Sequence, residues 1–298
     1  MKTETEKPNS PVRLPKRARE SSKRDYGRLL ILAGSRGYTG APSFASRAAV
    51  RGGAGLVWLG VPESIYEITA VKNDEAMPFP LPCDERGRLS AEAVPEVEER
   101  LERMSCLAIG PGLGRSEGVT ELVQGALAAS RVPTVVDADA LWALSRDMSV
   151  LENAACPAVL TPHEGEFAYL GGLLSGDRVS AARRFAERWG CTIVLKGEGS
   201  VIAFPDGDYY VNRTGNPGMA KGGSGDVLTG LMAAMLCQLP FRDAVRAAVY
   251  LHGLAGDIAA AELGEYGMTP TDIIASLPAA LKTVPGPPKA AFFLFIPV

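Results

Sequence analysis

The chain has 298 residues, 46% of them apolar, enough to fill the core of one large domain, and its formal net charge is only −3. That balance argues against nucleic acid or a membrane surface as the main partner and leaves a small-molecule protein as the expectation. Five scattered cysteines (Cys83, Cys106, Cys156, Cys191, Cys237) form no CxxC pair, which suggests neither a disulfide framework nor a zinc site and fits a reducing, cytoplasmic setting.

In chain order, the first 28 residues hold nine Lys or Arg against four Asp or Glu. Residues 1–26 read as a disordered basic tail without the apolar centre of a secretory signal. From Leu29 onward LLILA reads as a strand, APSFASRAAVRGG as a helix and GLVWLGV as a strand. MPFPLPCDERGR reads as a long loop or edge hairpin. SAEAVPEVEERLERM is helical, CLAIG a strand, EGVTELVQGALAAS a helix and PTVVDA a strand. PAVLTP, the helical SAARRFAERWG, and the strands TIVLKG and SVIAF follow, then two helices, DVLTGLMAAMLCQL and FRDAVRAAVYLHGLAGDIAAAEL. Crossover helices of this length favour a mostly parallel sheet covered on both faces. TIVLKG, SVIAF and DYYVNR are close enough together to form an antiparallel patch at one edge. No run reaches the ~18 apolar residues of a membrane helix. The closing AFFLFIPV reads as a docked terminal strand or an exposed, aggregation-prone tail.

The polar and glycine-rich positions gather where strands end. LLILAG runs into Gly34, Gly37 and Gly40, CLAIG into GPGLG, VVDA into DAD, PAVLTP into HEGE, and TIVLKG into Lys196. Five loops are therefore expected to line one cleft beyond the carboxyl ends of the strands. GSRGYTG is spaced G-x-x-G-x-x-G, so it is neither a Rossmann fingerprint nor a P-loop, and GPGLG continues with Arg115 instead of a glycine. Either loop reads equally as a tight turn.

GNPGMAKGGSGDVLTG is the stronger signal, because Gly222, Gly223, Ser224 and Gly225 lead directly into a helix, whose free N–H groups favour a bound phosphate. Asp226 in its first turn reads either as an acid complementing the helix dipole or as a functional carboxylate. His163 and Glu166 of TPHEGEF read as a site pair or as a polar helix start in which Glu166 closes a capping box. Asp137 and Asp139 read as a cap before ALWALSR or as a magnesium environment. Lys196 ends an apolar strand, where its ammonium is expected to reach the cleft, with KGEGS supplying donors for a nucleotide phosphate. His252, inside AVYLHGLAGD, reads as a packed helix histidine.

Taken together, GSRGYTGAP, GAGLV, AIGPGLG, DADAL, TPHEGEF, VLKG, GNPGMAKGGSGDVLTG, AVYLHGLAGD and MTPTDIIASLP resemble the NAD(P)H-hydrate dehydratase family over about residues 27–282. The resemblance implies an α/β fold, the ribokinase-like three-layer αβα arrangement, in one domain over 27–283. The tail 1–26 stands before it and an unassigned segment, 284–298, after it. It implies repair of the S-epimer of hydrated NADH or NADPH with ADP or ATP as co-substrate and Mg2+ as cofactor, releasing phosphate and AMP or ADP. The epimerase domain fused to many bacterial members has no room here, so the dehydratase alone is expected, as a homo-oligomer, the family tending to tetramers.

By the same resemblance Asp226 is the general base, while Lys196, Gly197, Ser200, Gly222, Gly223, Ser224 and Gly225 hold the nucleotide. Ala41, Gly112, His163 and Asp226 contact the hydrated dinucleotide. Glu166 and Asp137 are the metal candidates, Glu166 within an H-x-x-E element that has His where related sugar kinases carry Asn. Lys221 and Ser224 stand where many members carry threonines, and both are compatible with phosphate contact. A ribokinase-like kinase of a vitamin or sugar alcohol shares GGSGD and is the competing enzyme reading; TPHEGEF with GSRGYTGAP favours the dehydratase. A catalytically silent nucleotide-binding protein gains nothing from a carboxylate facing phosphate. A dinucleotide oxidoreductase lacks its glycine fingerprint.

Overall fold

The structure, a computed structural model, describes residues 13–286 apart from 153 and 175. The short β-branched and leucine-rich runs become strands: β1 (Arg28–Leu32), β2 (Leu56–Pro62), β3 (Met77–Leu81), β4 (Cys106–Ile109), β5 (Thr134–Val136), β6 (Ala158–Leu160), β7 (Thr192–Leu195), β8 (Val201–Ala203) and β9 (Tyr209–Val211). Between and after them run α1 (Gly40–Arg51), α2 (Tyr66–Lys72), α3 (Val94–Leu101), α4 (Glu117–Ala129), α5 (Asp139–Leu144), α6 (Glu164–Tyr169), α7 (Arg178–Trp189), α8 (Ser224–Leu236), α9 (Phe241–Gly267) and α10 (Pro270–Thr283).

The strands form one sheet in the order β3-β2-β1-β4-β5-β6-β7-β8-β9, parallel from β3 to β7 and antiparallel across β7–β8–β9. The antiparallel edge is the one expected from the short spacing of TIVLKG, SVIAF and DYYVNR. Alternate residues of each strand feed two cores. Leu29 and Ile31 pack with residues of α1, α8, α9 and α10, whereas Leu30 and Leu32 pack with residues of α3, α4, α5 and α7. Both faces of β1 are therefore sealed, with each fully buried Leu or Ile worth about 1.5–3 kcal/mol. The result is the three-layer αβα architecture. Strand order reverses between β1 and β4, and the glycine loops 34–40 and 110–114 leave the carboxyl ends of those two strands, at the place where open α/β sheets bind ligands.

Two expectations need correcting. MPFPLP is a parallel edge strand, β3, in register with β2, and only the following segment turns back, pairing Cys83 antiparallel with Leu89. Pro78 and Pro80, two apart, both lose their N–H on the open side of the edge, so they cost no ladder bond. The described part of the basic segment, 13–26, is also tied to the body. The Arg17 guanidinium stacks over Tyr26 and donates to Gln238 Oε1 at 3.0 Å, and Lys23–Tyr26 forms a 3-10 turn capped by Ser22. The first twelve residues and AFFLFIPV lie outside the described residues. No helix among the described residues is long and apolar enough to cross a membrane.

Candidate active site

α8 starts without a side-chain cap. Gly223, its N-cap, has φ 101°, and a Cβ there would come within 2.7 Å of the Phe44 ring on α1, so only glycine fits. The Ser224 N–H donates to the Lys221 carbonyl at 3.2 Å and the Val227 N–H to the Gly223 carbonyl at 3.1 Å. The N–H groups of Gly222, Gly223, Gly225 and Asp226 have no partner among the described residues. Four free donors at the positive end of a buried helix form an anion cradle.

Beside it lies a knot of charge. Lys196, carried out of β7, places Nζ 2.8 Å from Asp137 Oδ1 and 3.6 Å from Glu166 Oε2. Asp137, 1% exposed, also accepts from Thr161 Oγ1 at 2.7 Å and Thr229 Oγ1 at 2.6 Å. A Cβ on Gly225 would stand 3.4 Å from Lys196 Nζ, which puts the cradle against this knot. Burial alone would push the Asp137 carboxyl up, but the Lys196 ammonium and the two threonine hydroxyls outweigh it and hold it below the usual range. Burial likewise pushes Lys196 down, and the carboxylates of Asp137, Glu166 and Asp226 more than restore it.

Asp226 has the opposite fate. Burial, then the neighbouring Asp137, push its carboxyl up to about 7, with Lys196 pulling the other way and Asp139 and Glu166 adding to the rise. No hydrogen-bond partner among the described residues holds it. An acid placed only to complement the helix dipole would be held ionised. This one is poised to exchange a proton near neutral pH.

The remaining loops close around this centre. His163 and Glu166 form the capping box of α6: the His163 N–H donates to Glu166 Oε2 at 2.8 Å and the Glu166 N–H to His163 Nδ1 at 3.1 Å. His163 also bridges to Lys196 across β6–β7, and its side chain is 58% exposed, so it can meet a ligand. Gly112 packs against α1: a Cβ there would come within 2.9 Å of Ala41 Cβ, and its carbonyl accepts from Ser35 Oγ at 2.8 Å. Gly197 and Ser200 close a small turn, the Ser200 hydroxyl donating to the Gly197 carbonyl at 3.0 Å.

Several expectations change. The Lys196 ammonium is engaged by carboxylates, so its reach toward a phosphate is shared with Asp137 and Glu166. Lys221 does not face the cradle, because its ammonium donates to main-chain carbonyls at the end of α9. Neither Asp137 nor Asp139 caps α5, whose N-cap is Ala138; Asp139 Oδ2 instead accepts the Gly114 N–H at 2.8 Å. Ala138 is held at φ 49°, a conformation costing about 1–3 kcal/mol. Just before it the Asp137 carbonyl lies so close to Gly110 that a Cβ there would stand 1.8 Å away.

The donor set also limits the metal. Among the described residues no group of three or more His, Cys, Asp or Glu could hold an ion. Asp137 already gives Oδ1 to Lys196 and Thr161 and one side of Oδ2 to Thr229, which leaves at most one lone-pair site on Oδ2 for an ion. Glu166 keeps Oε1, 3.5 Å from His163 Nε2, which suits magnesium held mainly by phosphate oxygens and needing one or two carboxylates at most. The sequence reading missed Thr161 and Thr229, which fix Asp137, and Arg178. The Arg178 guanidinium donates to the carbonyls of Leu195 at 3.1 Å, Lys196 at 2.9 Å and Glu198, pinning the loop after β7.

Comparison with known proteins identifies the family. The chain matches the family described as NAD(P)H-hydrate dehydratase over residues 29–279. It is 45% identical over 277 residues to the bifunctional NAD(P)H-hydrate repair enzyme Nnr of Moorella thermoacetica, covering 91% of this chain and 52% of that one, so it spans about half the length of that relative. It is 39% identical over 251 residues to the ADP-dependent (S)-NAD(P)H-hydrate dehydratase of Bacillus subtilis, covering 82% and 85%. The crystal structure of the ADP/ATP-dependent NAD(P)H-hydrate dehydratase from Bacillus subtilis, co-crystallised with ATP/Mg2+, superimposes with a TM-score of 0.80 at 34% identity, covering 91% of this chain and 95% of that one. With the family matched across most of its length, the chain belongs to the NAD(P)H-hydrate dehydratases.

Proposed function

We propose that this chain dehydrates hydrated NADH or NADPH at the expense of ADP or ATP. The observation that carries the reading is Asp226: a carboxyl held at about 7 in the first turn of a helix whose free N–H groups form an anion cradle. Its similarity to the Bacillus subtilis enzyme supports the choice of substrate. Asp226 takes the proton of the 6-hydroxyl on the hydrated nicotinamide ring as that oxygen attacks the terminal phosphorus of the nucleotide. The bond from that phosphorus to the bridging oxygen breaks, and AMP or ADP leaves with the electron pair. The N–H groups of Gly222, Gly223 and Gly225 stabilise charge on the transferring group. Phosphate then departs with the C6–O electron pair, and loss of a proton from C5 restores the C5–C6 double bond.

Ala41, Gly112 and His163 would line the hydrated dinucleotide, and Gly197 and Ser200, with Lys196 and Ser224, the nucleotide. Magnesium would neutralise phosphate charge, with Glu166 the protein oxygen nearest to it. The test is phosphate release in the presence of hydrated NADPH, magnesium and either ADP or ATP. Release that requires both hydrate and nucleotide supports the reading; no release with hydrated NADH or hydrated NADPH, while nucleotide binds, would move it to a small-molecule kinase.

A second expectation concerns the loop after β7. Arg178→Ala removes charged hydrogen bonds, each worth about 1.5–3 kcal/mol where well made, from the backbone of 195–198. Nucleotide affinity should fall by roughly tenfold, a loss of about 1.4 kcal/mol. Calorimetry giving an unchanged affinity would remove this loop from the nucleotide site.

A further inference from the structure

The AVYLHGLAGD segment and Lys221 are not used by the chemistry above, yet each ties the glycine loop that precedes α8 to α9. Asp257, on that helix, accepts the Gly215 N–H with Oδ2 and the Asn216 side-chain amide with Oδ1, both at 3.0 Å, fixing the start of the glycine loop. Further along, α9 is broken at Gly264, whose φ of 74° and ψ of 155° lie outside the helical range. The helix ends three residues later at Gly267, so the carbonyls of this last turn and its cap have no partner in the helical ladder. The Lys221 ammonium donates to three of them: Glu265 at 3.3 Å, Tyr266 at 2.8 Å and Met268. The same turn supports the loop one step earlier, since a Cβ on Gly218 would come within 2.8 Å of the Glu265 carbonyl.

Lys221 is also where the loop becomes α8. Its own carbonyl accepts the Ser224 N–H at 3.2 Å, the one bond that closes the turn from which the free cradle N–H groups project. A single residue is thus gripped at its side chain by the end of α9 and at its backbone by the start of α8. Cationic side chains are favoured at helix carboxyl ends for the same dipole reason that phosphate is favoured at amino ends, so both contacts act in the favourable sense.

We propose that Lys221 is a positioning residue that sets the phosphoryl cradle, Gly222 to Gly225, by tying it to the broken carboxyl end of α9. Its ammonium is committed to carbonyl oxygens, so its contribution falls on the placement of the cradle and not on direct attraction of nucleotide. Small misplacements of transition-state donors cost rate before they cost ground-state binding.

The test compares Lys221→Met and Lys221→Arg with the wild type. The rate arm rests on the dehydratase reading. There Lys221→Met is expected to lower kcat by roughly tenfold with nucleotide KM changed less than about threefold, and Lys221→Arg, which can still donate to the carbonyls, should recover most of the loss. The second arm needs no substrate: amide exchange at Ser224 should be roughly tenfold faster in Lys221→Met, with amides of α1 unchanged. Unchanged kcat in Lys221→Met, a loss lying wholly in nucleotide KM, or wild-type exchange at Ser224 would each overturn the proposal. If the wild type itself fails to restore dihydronicotinamide, the dehydratase reading fails and exchange alone decides Lys221.

Discussion

Asp226→Asn is expected to lower turnover by a factor on the order of 10²–10⁴ while leaving nucleotide affinity nearly unchanged, because the amide keeps the shape of the side chain and cannot take the proton. The wild-type kcat/KM should rise as pH passes upward through about 7, where Asp226 becomes the free carboxylate, and the Asn variant should lack that rise. Near-normal turnover in the variant would remove Asp226 as the base. The same substitution should stabilise the fold in alkali. Burial and Asp137 raise this carboxyl from its ordinary 3.8 to about 7, so between those values the folded chain holds more proton than the unfolded one and stability falls as pH rises. At about pH 8 the ionised group costs at most about 4 kcal/mol, which Asn avoids. The variant should therefore melt higher than the wild type at about pH 8, with the gap closing by about pH 4. Equal melting at both values would place the carboxyl at its ordinary pKa.

Lys196→Ala should have the largest effect on stability. Asp137 is 1% exposed and would lose its only cationic partner among the described residues, and removing one member of a buried pair costs about 3–5 kcal/mol. Lys196 is held above its ordinary pKa, so its contribution is complete at neutral pH and is lost only as pH rises through the folded value. Asp137 is held below its ordinary value, so its contribution is present above about 3.8 and fades as pH falls through the lower folded value. Urea melts of the variant should accordingly show the deficit at neutral pH and a smaller one in strong acid. The loss of the ammonium also removes the one influence lowering Asp226, so any residual turnover should need a higher pH. A variant as stable as the wild type at neutral pH would mean that the pair contributes nothing net. Nucleotide affinity should fall as well, and an unchanged calorimetric Kd would take Lys196 out of the nucleotide site.

What sequence carries and what it does not follow from the range of the interactions. The glycine run before α8, the His163–Glu166 box and the period-two strands are local, so a few residues suffice to read them. TPHEGEF even displays the capping box in order, with His in the place usually held by Ser or Thr. The partners of Lys196 are of another kind. Asp137 lies 59 residues away along the chain and Thr229 lies 92 from Asp137; the parallel order of β5, β6 and β7 brings Lys196 to Asp137, and the packing of α8 against β5 adds Thr229. Asp137 therefore reads as a cap or a metal candidate in sequence, whereas the fold shows that it caps nothing and pairs with Lys196. Arg178 and Lys221 are hidden for the same reason, since both act on main-chain carbonyls, which leave no trace in side-chain patterns. MPFPLP misled because prolines signal loops unless the strand is an edge, and edge position is a property of the whole sheet.

The measurement that bears most directly on this account is the recovery of dihydronicotinamide absorbance when wild-type protein and Asp226→Asn are mixed, side by side, with hydrated NADH, magnesium and ADP or ATP. The account predicts recovery by the wild type only when nucleotide is present, and little or none by the variant even though it still binds nucleotide. Recovery by both proteins at similar rates, or by neither while both bind nucleotide, would contradict it.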